Sequence, residues 1–294
     1  SILTPLCHPS SFRTQVMQDQ IIDWFLANKR DLPWRNTSPW GVVVSEFMLQ
    51  QTPVNRVMPV WQRWMEKWPK PSLLAAETRA EVIRAWGNLG YPRRAIRLHE
   101  TAKVIATEHS DSVPRDPSIL CGLPGVGEYT AAAIVAFAFS ERSLVLDTNI
   151  RRLFSRVVDG QQFPINHITQ TERDSRASLI PERSSLWAAA TMELGALICK
   201  SQNPLCDSCP VKKSCQWRKN GYPESSFQKK RQAWHGSDRQ CRGRILKTLR
   251  ENEFVKHSEL KGIWEDKEQL NRSLKSLIDE KMIIESKQGF ALRN

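Results

Sequence analysis

No run of apolar residues in this 294-residue sequence is longer than nine, Ala131 to Phe139. A helix that spans a bilayer needs about 20, so no transmembrane helix is expected. No basic stretch leads into an apolar one near the N-terminus, so no signal peptide is visible. The expected location is the cytoplasm. Internal repeats and low-complexity tracts are absent as well. Wholesale disorder is excluded, since apolar residues make up 40% and charged residues 25%, as in ordinary globular proteins. At roughly 150 residues per domain, the chain holds about two.

Acid is the scarcer charge: 31 Asp and Glu stand against 43 Lys and Arg, a net of +12. The imbalance is local. Residues 200–250 hold 13 basic and 3 acidic side chains, a net of +10, whereas the rest of the chain is nearly balanced at 30 against 28. A localised basic excess suits a polyanion, and nucleic acid is the commonest one. A solvated basic linker is the alternative reading.

Three of the seven cysteines, Cys7, Cys121 and Cys241, are scattered and carry no assigned role. The other four, Cys199, Cys206, Cys209 and Cys215, form the pattern C-x6-C-x2-C-x5-C within seventeen residues. In an intracellular chain, clustered cysteines read as metal ligands rather than disulfides. Zinc and an iron–sulfur cluster both accept four thiolates. Structural zinc sites usually build two short C-x2-C knuckles, and only Cys206 and Cys209 are that close. The wider loops suit a bulky cluster, so the pattern favours [4Fe–4S] over zinc.

Helical periodicity dominates residues 10–200. Ala95, Leu98, Ala102 and Ile105 line one helical face, as do Val82, Ile83 and Trp86 upstream. Gly87, Gly90 and Pro92 place a loop between the two. Residues 130–140 are small and apolar, as in a helix buried on most sides. Residues 217–236 are polar, basic and poor in aliphatics, which predicts a linker. From Ser237 periodicity returns. Ser237 or Asp238 can cap a helix reaching about Leu249, with Ile245 and Leu249 inward. Ser258 can cap a short second helix. A third runs from about Asp266 to Glu280, with Leu270, Leu274, Leu277 and Ile278 inward. Met282-Ile283-Ile284 and Phe290-Ala291-Leu292, around Gly289, predict two short strands and a turn. Three helices and a β-hairpin make a winged-helix-like pattern over 237–294. The expected domains are therefore 1–216, including the cysteine loop 199–215, then the linker 217–236, then 237–294.

Leu123-Pro124-Gly125-Val126-Gly127 lies between two helical stretches, the first capped by Asp116 with Pro117 in its first turn, the second starting near Glu128. Such glycines expose successive N–H groups at a helix N-terminus, an arrangement that holds a phosphate. An ordinary glycine-rich turn is an equal reading of the pentapeptide alone. Two acids stand a hundred residues apart. Glu46 lies in an apolar stretch, and Asp147 precedes a helix it can cap. Taken singly, a core glutamate and an N-cap aspartate are the stronger readings.

Together, Leu-Pro-Gly-Val-Gly, an aspartate about twenty residues on and four clustered cysteines resemble the helix-hairpin-helix, endonuclease III-like DNA glycosylase superfamily with an iron–sulfur cluster. Within it, four stretches are similar to the MutY-type adenine DNA glycosylases: Leu32-Pro33-Trp34-Arg35, Ser45-Glu46 to Thr52, Leu89-Gly90-Tyr91, and Met192-Glu193-Leu194-Gly195-Ala196. The resemblance covers about residues 15–216. It implies a mainly α fold: a six-helix barrel plus an iron–sulfur cluster domain, followed here by the winged-helix-like domain.

The resemblance also implies a chemistry, excision of adenine opposite 8-oxoguanine or guanine in base excision repair. The adenine is flipped out of the stack. Glu46 would be the general acid at adenine N7, Asp147 would stabilise the cation on the deoxyribose, and Asn149 would assist near the sugar. Tyr129 stands where lyase-competent relatives carry lysine, so no Schiff base forms and a monofunctional enzyme is expected. Trp34, Arg35, Leu49 and Glu193 would line the adenine pocket. Gln51 and Tyr91 would wedge into the duplex. Gly125, Gly127, Lys212 and Lys213 would contact phosphates, and the four clustered cysteines would carry the [4Fe–4S] cluster. The implied partner is double-stranded DNA containing a mismatch or 8-oxoguanine, met by a monomer with no membrane role. In a bacterium the location would be the nucleoid.

Two departures from the family pattern stand out. Pro92 follows Tyr91 where a second tyrosine is usual, and proline removes an N–H and fixes φ. The winged-helix-like domain stands where many members carry a Nudix-like domain that helps recognise 8-oxoguanine. Discrimination is then expected to fall mostly on Gln51, Tyr91 and their neighbours. Two other readings stay open: a thymine or uracil mismatch glycosylase, and a redox-sensing DNA-binding regulator.

Overall fold

The computed structural model describes residues 9–225 and 235–294. Cys7 and residues 226–234 of the expected linker lie outside the described residues. In chain order the helices are α1 (Pro9–Asn28), α2 (Pro39–Leu49), α3 (Val54–Lys67), α4 (Pro71–Ala75), α5 (Arg79–Trp86), α6 (Arg93–Glu108), α7 (Pro117–Gly122), α8 (Glu128–Phe139), α9 (Thr148–Val157), α10 (Gln170–Ala177), α11 (Ser184–Leu197), α12 (Gln216–Lys219) and α13 (Asp238–Glu251). Then follow β1 (Val255–Lys256), α14 (His257–Lys261), α15 (Lys267–Asp279), β2 (Ile283–Glu285) and β3 (Gly289–Leu292). Among the described residues no helix is long and apolar enough to cross a membrane.

Local chemistry starts these helices. Ser38 accepts from the Gly41 N–H with Pro39 next to it, Asp116 accepts from Ser118, Ser237 from Gln240 and Asp266 from Gln269. Each cap satisfies an N–H that the helix itself leaves unpaired. The short α14 differs from expectation. It begins at His257, with Ser258 already inside it, and the Glu259 carboxylate accepts from the Lys256 N–H at 3.1 Å.

The described chain gathers into two compact units, residues 9–31 with 128–225 and residues 32–127 with 235–294. These cut across the sequential division at 216 and 237. In the first unit α1, α8, α9 and α11 share one core of Ile21, Ile22, Phe25, Ala133, Ala136, Leu153, Phe154, Trp187 and Leu194, all buried. The expected linker also starts later than 217. Trp217 is buried, its indole N–H donates to the Pro223 carbonyl at 2.9 Å, and Tyr222 stands edge-on to it. A large aromatic with a satisfied N–H holds this segment in the unit.

In the second unit α2 is buried from Trp40 to Met48, and Ala95, Leu98, Ala102 and Ile105 of α6 are completely buried. The C-terminal module closes a three-stranded antiparallel sheet of order β1-β3-β2, with Val255 opposite Phe290 and Ile283 opposite Leu292. Its core of Cys241, Ile245, Leu249, Leu270, Leu277 and Phe290 is continuous with Ala80 and Ile83 of α5 and Ile96 of α6. The module is therefore an integral part of this unit.

Candidate active site

In the first unit the chemistry gathers on α9. Asp147 caps it: Oδ1 accepts from the Ile150 N–H at 2.6 Å and Oδ2 from the Asn149 amide at 2.7 Å. Desolvation pushes the Asp147 carboxyl above its ordinary range, while these hydrogen bonds and the Arg152 charge pull the other way. Asn149 Oδ1 accepts from Arg152 Nη2 at 3.0 Å, and that buried guanidinium also donates to the carbonyls of Gly195 at 2.7 Å and Cys199 at 2.8 Å. Gly195 has no room for a side chain, since a Cβ there would stand 2.7 Å from the Asn149 carbonyl oxygen. The aspartate, the asparagine and the first clustered cysteine are thus tied together through one arginine.

One turn further along α9, Arg156 is 1% exposed, donates to the Cys199 sulfur at 3.4 Å and stacks on Trp217 at 4.5 Å. Cys199, Cys206, Cys209 and Cys215 all line one cavity of about 340 Å³ of atom-free space, together with Arg156, Lys212 and Trp217. Burial pushes the Cys209 thiol up to about 12, and the other three cysteines add to the shift. Burial raises the Cys215 thiol as well, and a positively charged inorganic core bound there would favour the thiolate forms. Among the described residues no set of three or more His, Cys, Asp or Glu is drawn together tightly enough to hold a single metal ion. In chemical type, four thiol donors lining one cavity would suit an iron–sulfur cluster or a zinc ion. Lys212 and Lys213 beside it are exposed.

Glu193 is 2% exposed on α11, and its carboxylate is gripped by Arg30 through Nε and Oε1 at 2.9 Å and Nη2 and Oε2 at 2.7 Å. The Arg30 backbone N–H adds a third bond at 2.9 Å. Tyr129 is half-buried on α8 against the unit's core.

The second unit carries Glu46, the hairpin and both wedge candidates. Glu46 is 7% exposed on the otherwise apolar α2. Leu49 is half-buried at the end of that helix, Arg35 is exposed, and Trp34 stands edge-on to Trp61 with centroids 5.9 Å apart. In the hairpin, Gly125 has φ +82°, and a Cβ there would meet Arg97 at 2.9 Å, so only glycine fits. Gly127 is exposed with open space around it, as a phosphate-facing position requires.

Gln51 and Tyr91 are both exposed, and both sit at positive φ, +56° and +46°. Non-glycine residues rarely adopt this conformation, which is held only where the surroundings enforce it. Here Arg94 enforces it. This buried guanidinium donates to the carbonyls of Phe47 and Met48, each at 3.0 Å, to that of Gln50, to Thr52 Oγ1 at 2.8 Å and to the Gly90 carbonyl at 3.1 Å. One side chain therefore fixes the loop at 50–52 and the loop at 89–91 together. Pro92 ends the second loop as the N-cap residue of α6.

Residues 44–176 match the HhH-GPD superfamily of base excision DNA repair proteins. An adenine DNA glycosylase of Mycobacterium tuberculosis is 45% identical over 285 residues, which cover 94% of this chain and 93% of that one. The chain belongs to the adenine DNA glycosylase family. Among solved structures, a thermostable thymine-DNA glycosylase is 25% identical with a TM-score of 0.67, covering 72% of this chain and 99% of that one. An endonuclease III–DNA complex shares the fold at 23% identity and a TM-score of 0.63, covering 76% of this chain and 100% of that one.

Sequence reasoning about this glycosylase missed the residues that hold the named ones in place: Arg30, Arg94, Arg152, Arg156 and Gly195. Arg152 and Arg156 recur at i and i+4, the one sequence signal that both share a helical face. Their partners at 199–201 lie more than forty residues away.

Proposed function

We propose that this protein is a monofunctional glycosylase that removes adenine paired with 8-oxoguanine or guanine from double-stranded DNA in base excision repair, working as a monomer. The observation that carries the reading is the 45% identity to an adenine DNA glycosylase over 94% of the chain.

The mechanism follows from the residues named. Gln51 and Tyr91 enter the duplex, and their strained, pre-set backbone lowers the ordering cost of insertion. The hairpin N–H groups around Gly125 and Gly127, with Lys212 and Lys213, hold phosphates. Trp34, Arg35, Leu49 and Glu193 receive the flipped adenine, with Arg30 keeping the Glu193 carboxylate fixed. Glu46 gives a proton to N7, the N-glycosidic bond breaks with its electron pair leaving on adenine, and water then adds to C1′ of the deoxyribose and loses a proton to give the abasic sugar. Asp147 faces the positive charge left on the deoxyribose. A desolvated carboxylate opposes such a charge more strongly than a hydrated one. Asn149 orients Asp147 through their 2.7 Å bond. Tyr129 offers no amine, so the strand is not cut by a lyase step. Cys199, Cys206, Cys209 and Cys215 would hold a [4Fe–4S] cluster, whose contribution is to organise the loop that presents the two lysines.

The thymine or uracil mismatch reading draws on the 25% identity to a thymine-DNA glycosylase. Base release separates the two. Duplexes carrying A opposite 8-oxoguanine, A opposite G, and T or U opposite G are compared with and without alkaline workup. Adenine release alone, with breaks only after alkali, is expected. Release of thymine or uracil instead would overturn the adenine pocket.

A further inference from the structure

The first helix of the C-terminal module runs along the loop that carries Tyr91. Cys241, Ile245, Leu246 and Leu249 of α13 are buried in the cluster that includes Ile83 and Ile96. This apolar face fixes where the helix lies, and its arginines then reach the loop at successive points. Arg250 donates to Asn88 Oδ1 at 2.8 Å. Arg242 pairs with Glu280, and the same carboxylate takes Arg93 at 2.7 Å. Arg239 reaches the wedge itself. Its Nη1 donates to the Tyr91 hydroxyl at 2.5 Å, and its guanidinium lies 5.6 Å from the ring centroid.

Tyr91 is 41% exposed and stands on a backbone at positive φ. An exposed ring on such a loop keeps side-chain freedom that insertion into DNA would remove, and removing it opposes binding. Arg94 lies 5.5 Å from the ring centroid but spends its hydrogen bonds on backbone carbonyls and Thr52. The bond to the Tyr91 hydroxyl comes from Arg239. We propose that Arg239 is a positioning residue: it holds the Tyr91 ring ready for insertion, so the C-terminal module takes part in choosing the base opposite the adenine. The proposal rests on Tyr91 being a wedge beside that base. It also shifts part of the discrimination away from Gln51 and Tyr91 acting alone. Deleting residues 222–294 is a poor test, because it would strip the cover from Ala80, Ile83 and Ile96.

The test uses the full chain and four proteins: native, Arg239→Met, Tyr91→Phe and the double variant. Single-turnover adenine release is measured from duplexes with A opposite 8-oxoguanine and A opposite G. Each single variant is expected to lower the ratio of the two rates about tenfold, the scale of one hydrogen bond to a charged group. The double variant should fall no further, because both changes remove the same bond. An unchanged ratio in Arg239→Met, or effects that add, would overturn the proposal. Arg239→Lys keeps the charge but loses the reach, so its recovery of the full ratio would also overturn it. Should Arg239→Met fail to fold, Tyr91→Phe decides alone, and an unchanged ratio there sinks the idea. Binding to an abasic-site analogue opposite 8-oxoguanine or guanine gives a second readout. If the native protein releases no adenine, the adenine reading fails, while the binding ratio of the Arg239 variants still judges this proposal.

Discussion

The two units solve opposite problems. In the first, Asp147, Asn149 and Glu193 are held by helix ends and by the arginines Arg152, which is buried, and Arg30, which is half-buried. Asp147 is a helix cap, Asn149 is locked between Asp147 and Arg152, and Glu193 is clamped by Arg30. In the second, the general-acid candidate Glu46 is likewise buried on α2, whereas the groups assigned to the duplex are exposed and sit on strained backbone, with Gln51 and Tyr91 both at positive φ. Chemistry needs a group that does not move, whereas insertion needs one that protrudes. The strain is tolerated because Arg94 and the packed α13 over-determine the loops.

The largest effect that would sharpen this contrast is Asp147→Asn. Asparagine caps helices as well as aspartate, so the start of α9 should survive while adenine release falls about a thousandfold, the scale of losing a main electrostatic stabiliser. Stability should move the other way. Burial raises the Asp147 carboxyl, so the folded protein holds that proton more tightly than the unfolded chain. Stability then falls as pH rises from the ordinary carboxylate range through the raised value, and the carboxylate is a liability at neutral pH. Thermal melting should show Asp147→Asn more stable than the native protein there.

Gly195→Ala comes next. The methyl would press on the Asn149 carbonyl, 2.7 Å away. A loss of about 1–3 kcal/mol is expected on denaturant unfolding, with slower adenine release because Asn149 and Asp147 shift together. In the second unit, burial with Lys103 adding to it holds the His99 imidazole down to about 4. Below its unfolded value of about 6.5 the unfolded chain takes up the proton first, so stability drops by about 1.4 kcal/mol per pH unit down to about 4. His99→Gln should flatten the denaturant midpoint across that window. The smallest effect on stability belongs to Tyr91→Gly. Relief of the positive φ offsets the freedom gained by the unfolded chain, leaving a change within about 0.5 kcal/mol, although the preference for 8-oxoguanine should be lost.

Much of the fold was legible because its signals are local. The caps at Asp116, Asp147, Ser237 and Asp266 and the apolar stripe from Ala95 to Ile105 each need only a few neighbouring residues. The candidate site was legible as separate motifs, because the resemblance names residues one stretch at a time. What holds them was not. Arg30 meets Glu193 across 163 positions, and Arg94 meets Phe47 across 47, and no periodicity announces a pairing of that range. The docking of the C-terminal module was hidden for a related reason. The stripe of Ile245 and Leu249 says that a face is covered, but not that Ile83 and Ile96 cover it. The segment 217–225 read as linker because it is polar, yet one buried tryptophan, Trp217, is enough to anchor it.

The division of labour between the units is tested most directly by measuring two quantities on two variants. The quantities are single-turnover adenine release and the ratio of binding to duplexes with 8-oxoguanine or guanine opposite the adenine site. The variants are Asp147→Asn and Tyr91→Gly. Asp147→Asn is expected to lose release and keep the binding ratio, whereas Tyr91→Gly loses the ratio and keeps the larger share of release. Release that persists in Asp147→Asn, or a binding ratio that survives in Tyr91→Gly, would contradict the assignment of charge stabilisation to Asp147 in the first unit and of reading to Tyr91 in the second.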